Sequence, residues 1–409
     1  MNYPKIFLQK GRDEAVRRFH PWVFSGAVSR REGPAPNNNI ADGEVVEVFD
    51  SKATYLGTGH FHDGSIQVRL FSFAAHTNGQ PITPDVDFWA QKLVQIRAVR
   101  ASVIPGQTDC YRLIHGEGDG CSGLIIDMYA GVAVLQAHSI GMHRQRQSIV
   151  EALQRVFGSE LVAVYDKSAE TLPEQYAAGV QNGYRYGRAD DGTQQRPRAV
   201  QENGHTFMVD WVTGQKTGFF LDQRDNRQLL ARYSAGRTVL NAFCYSGGFS
   251  VYALAAGASV VHSVDTSKKA IELTNQNVAA NPGFAGQHEA IVADVMDYLK
   301  KPETPTYDIV VLDPPAYAKS QSARHRAVQG YKRLNTEGLK RVAPGGILFT
   351  FSCSQVVDRE LFYNTVVAAA IEAGRQVRVL HHMSQPADHP VSLFHPEGGY
   401  LKGLVLWVE

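Results

Sequence analysis

Two short apolar runs in this chain end in residues with chemistry to offer. Ile347-Leu-Phe-Thr-Phe-Ser-Cys-Ser-Gln355 delivers Cys353 between two serines, and Tyr307-Asp-Ile-Val-Val-Leu-Asp313 ends immediately before Pro314 and Pro315. Both read as buried strands bounded by turn residues. A thiolate can add to C6 of a cytosine or uracil ring, which makes C5 enamine-like and able to take a methyl group. Loss of the C5 proton then expels the thiol, so one difficult step becomes two. An ordinary thiol, with a pKa near ~8.5, offers only a few per cent thiolate at neutral pH. A nearby positive charge or proton acceptor is therefore expected. Asp313, if protonated or hydrogen-bonded to N3 and the exocyclic N4 of a cytosine, would stabilise charge developing on the ring. Taken alone, Cys353 could equally be a small hydrophobe on a core strand.

The Asp313-Pro-Pro corner also resembles the Asp/Asn-Pro-Pro-aromatic motif of amino-methyltransferases, where it grips an exocyclic amine and an aromatic ring stacks on the base. Here the next residues are Ala316 and Tyr317, so the aromatic comes one position late. An amino-methyltransferase acting on an exocyclic base nitrogen is thus the second reading. A catalytically idle RNA-binding protein on the same scaffold is the third.

The elements that would position these residues follow an order. Thr238–Phe243 reads as a strand, Cys244-Tyr-Ser-Gly-Gly-Phe249 as a tight turn and Ser250–Ala256 as a helix closed by Gly257. Ser259–Asp265 is the next strand and ends in an acid, where a Rossmann-like fold binds ribose hydroxyls. Glu289–Asp294 is another strand ending in an acid, placed to meet an adenine edge. The turn lacks the Gly-x-Gly-x-x-Gly pattern that lets a backbone approach a pyrophosphate. A nucleoside cofactor without phosphates, S-adenosyl-L-methionine, suits it better. Each feature has a plainer use, since Asp265 or Asp294 could cap a following helix and the glycines could serve only the turn. Their occurrence in this order points to a class I methyltransferase fold.

Composition sets the frame. With 409 residues the chain has room for two or three domains, and 44% hydrophobic and 20% charged residues are ordinary for globular material. No apolar run approaches the ~20 residues of a membrane span, and the N-terminus lacks the apolar core of a signal peptide. Four cysteines, with no Cys-x-x-Cys pair, signal neither a metal site nor a disulfide framework. Reduced thiols and a cytoplasmic protein are the simplest expectation. Net charge is +1, yet Lys319 to Arg341 holds seven Lys/Arg and one acid, leaving 34 basic and 39 acidic residues elsewhere. That run and the smaller group Lys10, Arg12, Arg17 and Arg18 suit a phosphate backbone, or are simply solvated faces.

Residues 1–73 read as short strands between Gly and Asp turns, with Asp42–Asp50 and Ser65–Phe71 alternating, and predict a small β-barrel. Residues 74–190 read as an α+β unit, with helices at Asp87–Ser102 and Met142–Phe157 and strands at Gly123–Asp127, Val132–Ala137 and Leu161–Tyr165. After a polar break at Asp190–Arg198, residues 191–409 alternate strand and helix as in an open parallel sheet. The end strands Gln376–Leu380 and Gly403–Val408 could pair as a terminal hairpin.

These motifs together resemble the RlmI family of bacterial 23S rRNA cytosine-C5 methyltransferases over nearly the whole chain. Arg18-Phe-His-Pro-Trp-Val-Phe-Ser-Gly26 is similar to the family's entry to an N-terminal PUA domain. Arg112–Gly120 and Gly123–Asp127 are similar to its central domain, and Gly214–Arg224, Asn241–Phe249, Asp313–Pro315 and Ser352–Ser354 to its catalytic domain. The resemblance implies a PUA-like RNA-binding barrel, a central α+β domain and a Rossmann-like class I methyltransferase domain. It implies 23S rRNA as substrate, rRNA processing as the role, S-adenosylmethionine as methyl donor, and a homodimer. Cys353 would be the nucleophile with Asp313 at the base, and Lys216, Phe219, Tyr245, Gly247, Asp265, Asp294 and Asp313 would surround the cofactor. Arg17, Arg18 and Trp22 become candidate RNA contacts, Trp22 equally a core residue. Arg324 and Arg326, early in the basic run, are expected to grip RNA near a flipped base. Many cytosine-C5 RNA enzymes carry a second cysteine after the motif proline; here, as in the RlmI group, Pro314–Tyr317 has none.

Overall fold

The computed structural model describes residues 3–33, 39–188, 197–318 and 320–409. Lys319 and most of the expected polar break, residues 190–196, lie outside them. The chain divides into two compact units: residues 1–197 with 210–218 and 387–398, and residues 198–209 with 219–386 and 399–409.

The first unit opens with a six-stranded sheet of Lys5–Leu8, Trp22–Phe24, Val28–Glu32, Val45–Phe49, Tyr55–Phe61 and Ile66–Phe73, whose order by chain position is 2-6-5-4-1-3. The two end strands, Trp22–Phe24 and Val28–Glu32, are joined by only Ser25–Ala27. Three residues span at most roughly 11 Å, so the sheet must curl its ends together. A five-stranded sheet follows, Cys110–His115, Leu124–Tyr129, Val132–Ala137, Ala163–Asp166 and Gly183–Gly187, packed with the helix Val86–Val103. The helix expected over 142–157 starts earlier, because Ser139 caps it. It also breaks at Gln145 into Ile140–Arg144 and Arg146–Phe157, where the Arg146 guanidinium donates to the His143 carbonyl at 2.7 Å.

The second unit begins with a hairpin of β1 (Arg198–Glu202) and β2 (His205–Val209). Its seven-stranded sheet uses β3 (Thr238–Ala242), β4 (Val260–Asp265), β5 (Gln287–Val292), β6 (Tyr307–Leu312), β7 (Val342–Ser352), β8 (Val377–Met383) and β9 (Lys402–Val408). The order is β5-β4-β3-β6-β7-β9-β8, parallel from β5 to β7 and antiparallel at β7–β9 and β9–β8. The expected terminal hairpin forms, with β9 slotted between β7 and β8. Helices α1 (Arg224–Ser234), α2 (Gly248–Ala255), α3 (Lys268–Ala279), α4 (Val295–Lys300), α5 (Arg324–Lys340) and α6 (Arg359–Ala373) complete the unit.

Alternate residues of the continuous apolar strands face opposite layers. Ile309 and Val311 join Leu230 of α1 and Ala253 of α2 on one face; Val310 and Leu312 join Leu334 of α5 and Phe362 of α6 on the other. This is why β6 and β7 read as unbroken hydrophobic runs, since a parallel sheet is buried on both sides. The strand order reverses between β3 and β6. A crevice at such a switch point, outside the carboxyl ends of the strands, is where open α/β sheets bind ligands. Among the described residues, no helix is long and apolar enough to cross a membrane.

Candidate active site

The turn after β3 is shaped by backbone that few side chains tolerate. Phe243, Tyr245 and Gly247 have φ of 62°, 45° and 71°. A Cβ on Gly247 would lie 2.6 Å from Thr274 Cγ2, so this position excludes even alanine. The turn is also tied to its neighbours. The Tyr245 N–H donates to Asp265 Oδ2 at the end of β4 (3.1 Å), Thr274 Oγ1 donates to the Tyr245 carbonyl (3.0 Å), and Asn277 Nδ2 donates to the Ser246 carbonyl (2.7 Å). Asp265 therefore does more than end its strand, since Ser267 caps α3 in its place. Asp294 does cap α4, accepting from the Asp297 N–H at 3.0 Å. Cys244 is buried and its thiol is pushed up to about 12 by desolvation, which makes it a poor nucleophile.

Asp313 and Cys353 leave the sheet at adjacent strand ends. Leu312 pairs with Thr350 across the parallel β6–β7 ladder, so both residues emerge at the carboxyl edge. Ser354 Oγ donates to the Ala318 carbonyl at 2.8 Å, which fastens the Cys353 loop to the Asp313–Ala318 loop. Asp313 Oδ1 accepts from Gln223 Nε2 at 3.0 Å, and Gln223 Oε1 in turn accepts from Asn226 Nδ2 at 2.6 Å. Cys353 is partly exposed, whereas Cys110, Cys121 and Cys244 are buried. Beneath the Cys353 loop, buried Lys402 donates to the Ser354 carbonyl at 2.6 Å. The Tyr317 ring packs on Tyr331, with centroids 4.7 Å apart, and burial raises its phenol.

Other expected residues fall elsewhere. Phe219 is buried, its ring 4.9 Å from that of Phe207 and 4.7 Å from the Arg227 guanidinium. It is Phe220 whose ring meets Tyr245, edge-on at 5.0 Å. Arg227 is held by Glu202 through both carboxylate oxygens, at 2.9 and 2.7 Å. Lys216 lies in the 210–218 segment of the first unit. In that unit Arg17 grips Asp13 and Asp50, both at 2.6 Å, while Arg18 is exposed and loosely paired with Glu14 at 3.4 Å. Trp22 Nε1 donates to Glu117 at 3.0 Å. Of the basic run, Arg324 pairs with Asp358 at 3.1 Å and Arg326 is exposed on α5. Gln223, Phe220 and Lys402 are the residues that sequence inspection passes over. Gln223 and Phe220 stand inside the quoted stretch Gly214–Arg224, but nothing in it says which side chain reaches Asp313 or Tyr245. Among the described residues, one group of potential metal ligands, His20, His395 and Glu397, has its ligand atoms within 4.8 Å of one another, in the first unit.

Comparison with known proteins gives two family matches. A family described as S-adenosylmethionine-dependent methyltransferase matches residues 112–395, and one described as a PUA-like domain matches residues 6–73. Ribosomal RNA large subunit methyltransferase I of Aeromonas hydrophila subsp. hydrophila is 37% identical over 406 residues, covering 98% of each chain. The protein of the same name from Photobacterium profundum is 38% identical, covering 99% of each. Among solved structures, a protein described as a methyltransferase and complexed with SAH superposes with a TM-score of 0.81 at 23% identity, covering 98% of this chain and 99% of that one. At that identity the likeness speaks for the fold, a class I methyltransferase sheet.

Proposed function

This chain belongs to the family of ribosomal RNA large subunit methyltransferase I, and on that footing we propose that it forms 5-methylcytosine in 23S rRNA through a covalent Cys353 adduct. The observation that carries the proposal is the pairing of two strand ends: a partly exposed thiol on a loop hydrogen-bonded to the loop that carries Asp313. The methyl donor of this family is S-adenosylmethionine, which supplies an electrophilic methyl group. The turn fits a nucleoside without phosphates, since Asp265 at the end of β4 offers carboxylate oxygens for ribose hydroxyls and is fixed there by the Tyr245 N–H. Tyr245, Gly247, Asp265 and Asp294 would hold it, with Phe220 in place of buried Phe219. Lys216 would join them.

Cys353, as thiolate, adds to C6 of the extruded cytosine, and the C5–C6 π electrons make C5 nucleophilic. Asp313, oriented by Gln223, enters protonated: it gives its proton to N3 and accepts from N4–H, which offsets the negative charge that thiolate addition puts on the ring, and it takes the proton back when the C6–S bond breaks. Once C5 is methylated, solvent water takes its proton, the C5–C6 double bond re-forms and the C6–S bond breaks to return the thiolate. The PUA-like domain and the exposed Arg18 and Arg326 would meet phosphates, with residues 1–73, 74–190 and 191–409 as the functional division. The amino-methylation reading gains little support, since the Tyr317 ring packs on Tyr331. Nucleoside mass spectrometry of methylated RNA tests the proposal. The expected product is 5-methylcytosine, lost in Cys353→Ser; N4-methylcytosine or a methyl-purine, or an active Cys353→Ser, would overturn it.

A further inference from the structure

Lys402 touches neither the base nor the methyl donor in the proposed reaction, and its surroundings are unusual for a lysine. It opens β9, stands directly opposite Ser352 in the β7–β9 ladder and is 4% exposed. Its Nζ donates to the Ser354 carbonyl at 2.6 Å. One contact lies just before Cys353 in the chain and the other just after it. A buried ammonium loses hydration worth several kcal/mol unless an anion or several acceptors replace the water. Among the described residues, Lys402 forms no ion pair with a carboxylate. The charged groups that influence it are Cys353 and Asp358, which favour its ammonium form, and Arg359, which opposes it. Tyr331 also faces Cys353, its phenol pushed up to about 12 chiefly by burial. Burial brings the Lys402 ammonium down to about 8, so it keeps its charge at neutral pH.

We propose that Lys402 is the positioning residue that holds Cys353 as a thiolate, its buried ammonium anchored on the Ser354 carbonyl and set across from Ser352. This rests on the reading of Cys353 as nucleophile and supplies the positive charge that reading requires. The thiol proton is lost to solvent and Lys402 keeps its own three. When sulfur bonds to C6 the negative charge passes into the ring; when the C6–S bond breaks the electron pair returns to sulfur.

The test is the pH dependence of iodoacetamide alkylation of Cys353 in the full chain, followed by peptide mass spectrometry with Cys353→Ala as blank. We expect the wild-type half-point to lie below that of an ordinary thiol, ~8.5. In Lys402→Met it should rise by about one pH unit, with an alkylation rate at pH 7 about 5- to 10-fold lower. Lys402→Arg should keep most of the wild-type rate. Unchanged profiles in Lys402→Met, at unchanged melting temperature and SAH affinity, overturn the inference. If that variant fails to fold, Lys402→Gln, which can still donate to the Ser354 carbonyl, replaces it with the same expectation, and a wild-type half-point at or above ~8.5 is decisive against the inference in any case. The two readings fail separately. An alkylation shift together with full methyl transfer by Cys353→Ala sinks the nucleophile and leaves the lysine–thiolate pair. An inactive Cys353→Ala without the shift does the reverse.

Discussion

Gln223 is the side chain on which the orientation of Asp313 depends. Its Nε2 donates to Asp313 and its Oε1 accepts from Asn226, so its amide is fixed at both ends. Gln223→Ala should lower the single-turnover methylation rate about 10-fold, leave S-adenosylmethionine affinity near wild type, and cost roughly 1 kcal/mol of stability, because Asn226 Nδ2 loses one of its two acceptors and keeps the Ser384 carbonyl. Unchanged single-turnover rates would mean that Asp313 needs no such support. At this scale the sequence is legible only in part. Cys353 and Asp313 stand out because a thiol and a carboxylate–proline corner each close an apolar run. Gln223 and Lys402 do not, because the contacts that matter span 90 and 48 residues and leave no local pattern. Phe219 and Phe220 are neighbours of the same type, so sequence cannot say which is core and which meets Tyr245.

The glycine turn and the buried ion pair under α1 and α2 carry the element-scale expectations. Gly247→Ala forces a side chain to φ 71° and into Thr274, so S-adenosylmethionine affinity by calorimetry should fall at least 10-fold, with about 1–3 kcal/mol of stability lost. Arg227 and Glu202 are both almost fully buried. Arg227→Met alone should destabilise by roughly 3–5 kcal/mol in urea denaturation, because it strands a buried carboxylate. Adding Glu202→Leu should recover much of that loss. A single variant as stable as wild type would show that Glu202 finds another partner. The strands β3 to β7 and the β8–β9 pairing follow from continuous apolar runs between turns. The β1–β2 hairpin has its signal in Asn203-Gly204, both at positive φ, rather than in its strands, since Arg198–Val209 has little alternation and sits beside a polar stretch. The break at Gln145 is likewise hidden, because it depends on where the Arg146 guanidinium turns.

Charge belongs to the scale of the whole molecule. The basic run after Asp313 looks uniform in sequence, but folding divides it. Arg341 serves the carbonyls of Leu299, Lys301 and Thr304, Lys340 pairs with Glu337, and Arg324 pairs with Asp358. Arg326 stays exposed. If it meets a phosphate, Arg326→Ala should flatten the dependence of log affinity on log salt by about 0.7–0.9 without changing the methylated position. An unchanged slope removes it from the interface. The return of residues 387–398 to the first unit is equally invisible in sequence, as no change of composition marks it. The whole reaction depends on attack of Cys353 on the base. RNA carrying 5-fluorocytosine at the target tests that most directly, because fluorine at C5 leaves no proton to remove and stalls the adduct. With S-adenosylmethionine present, the wild-type chain should form a protein–RNA band stable to denaturation and mapped to Cys353, and Cys353→Ser should form none. Methylation of unmodified RNA with no such adduct at Cys353 would contradict the account.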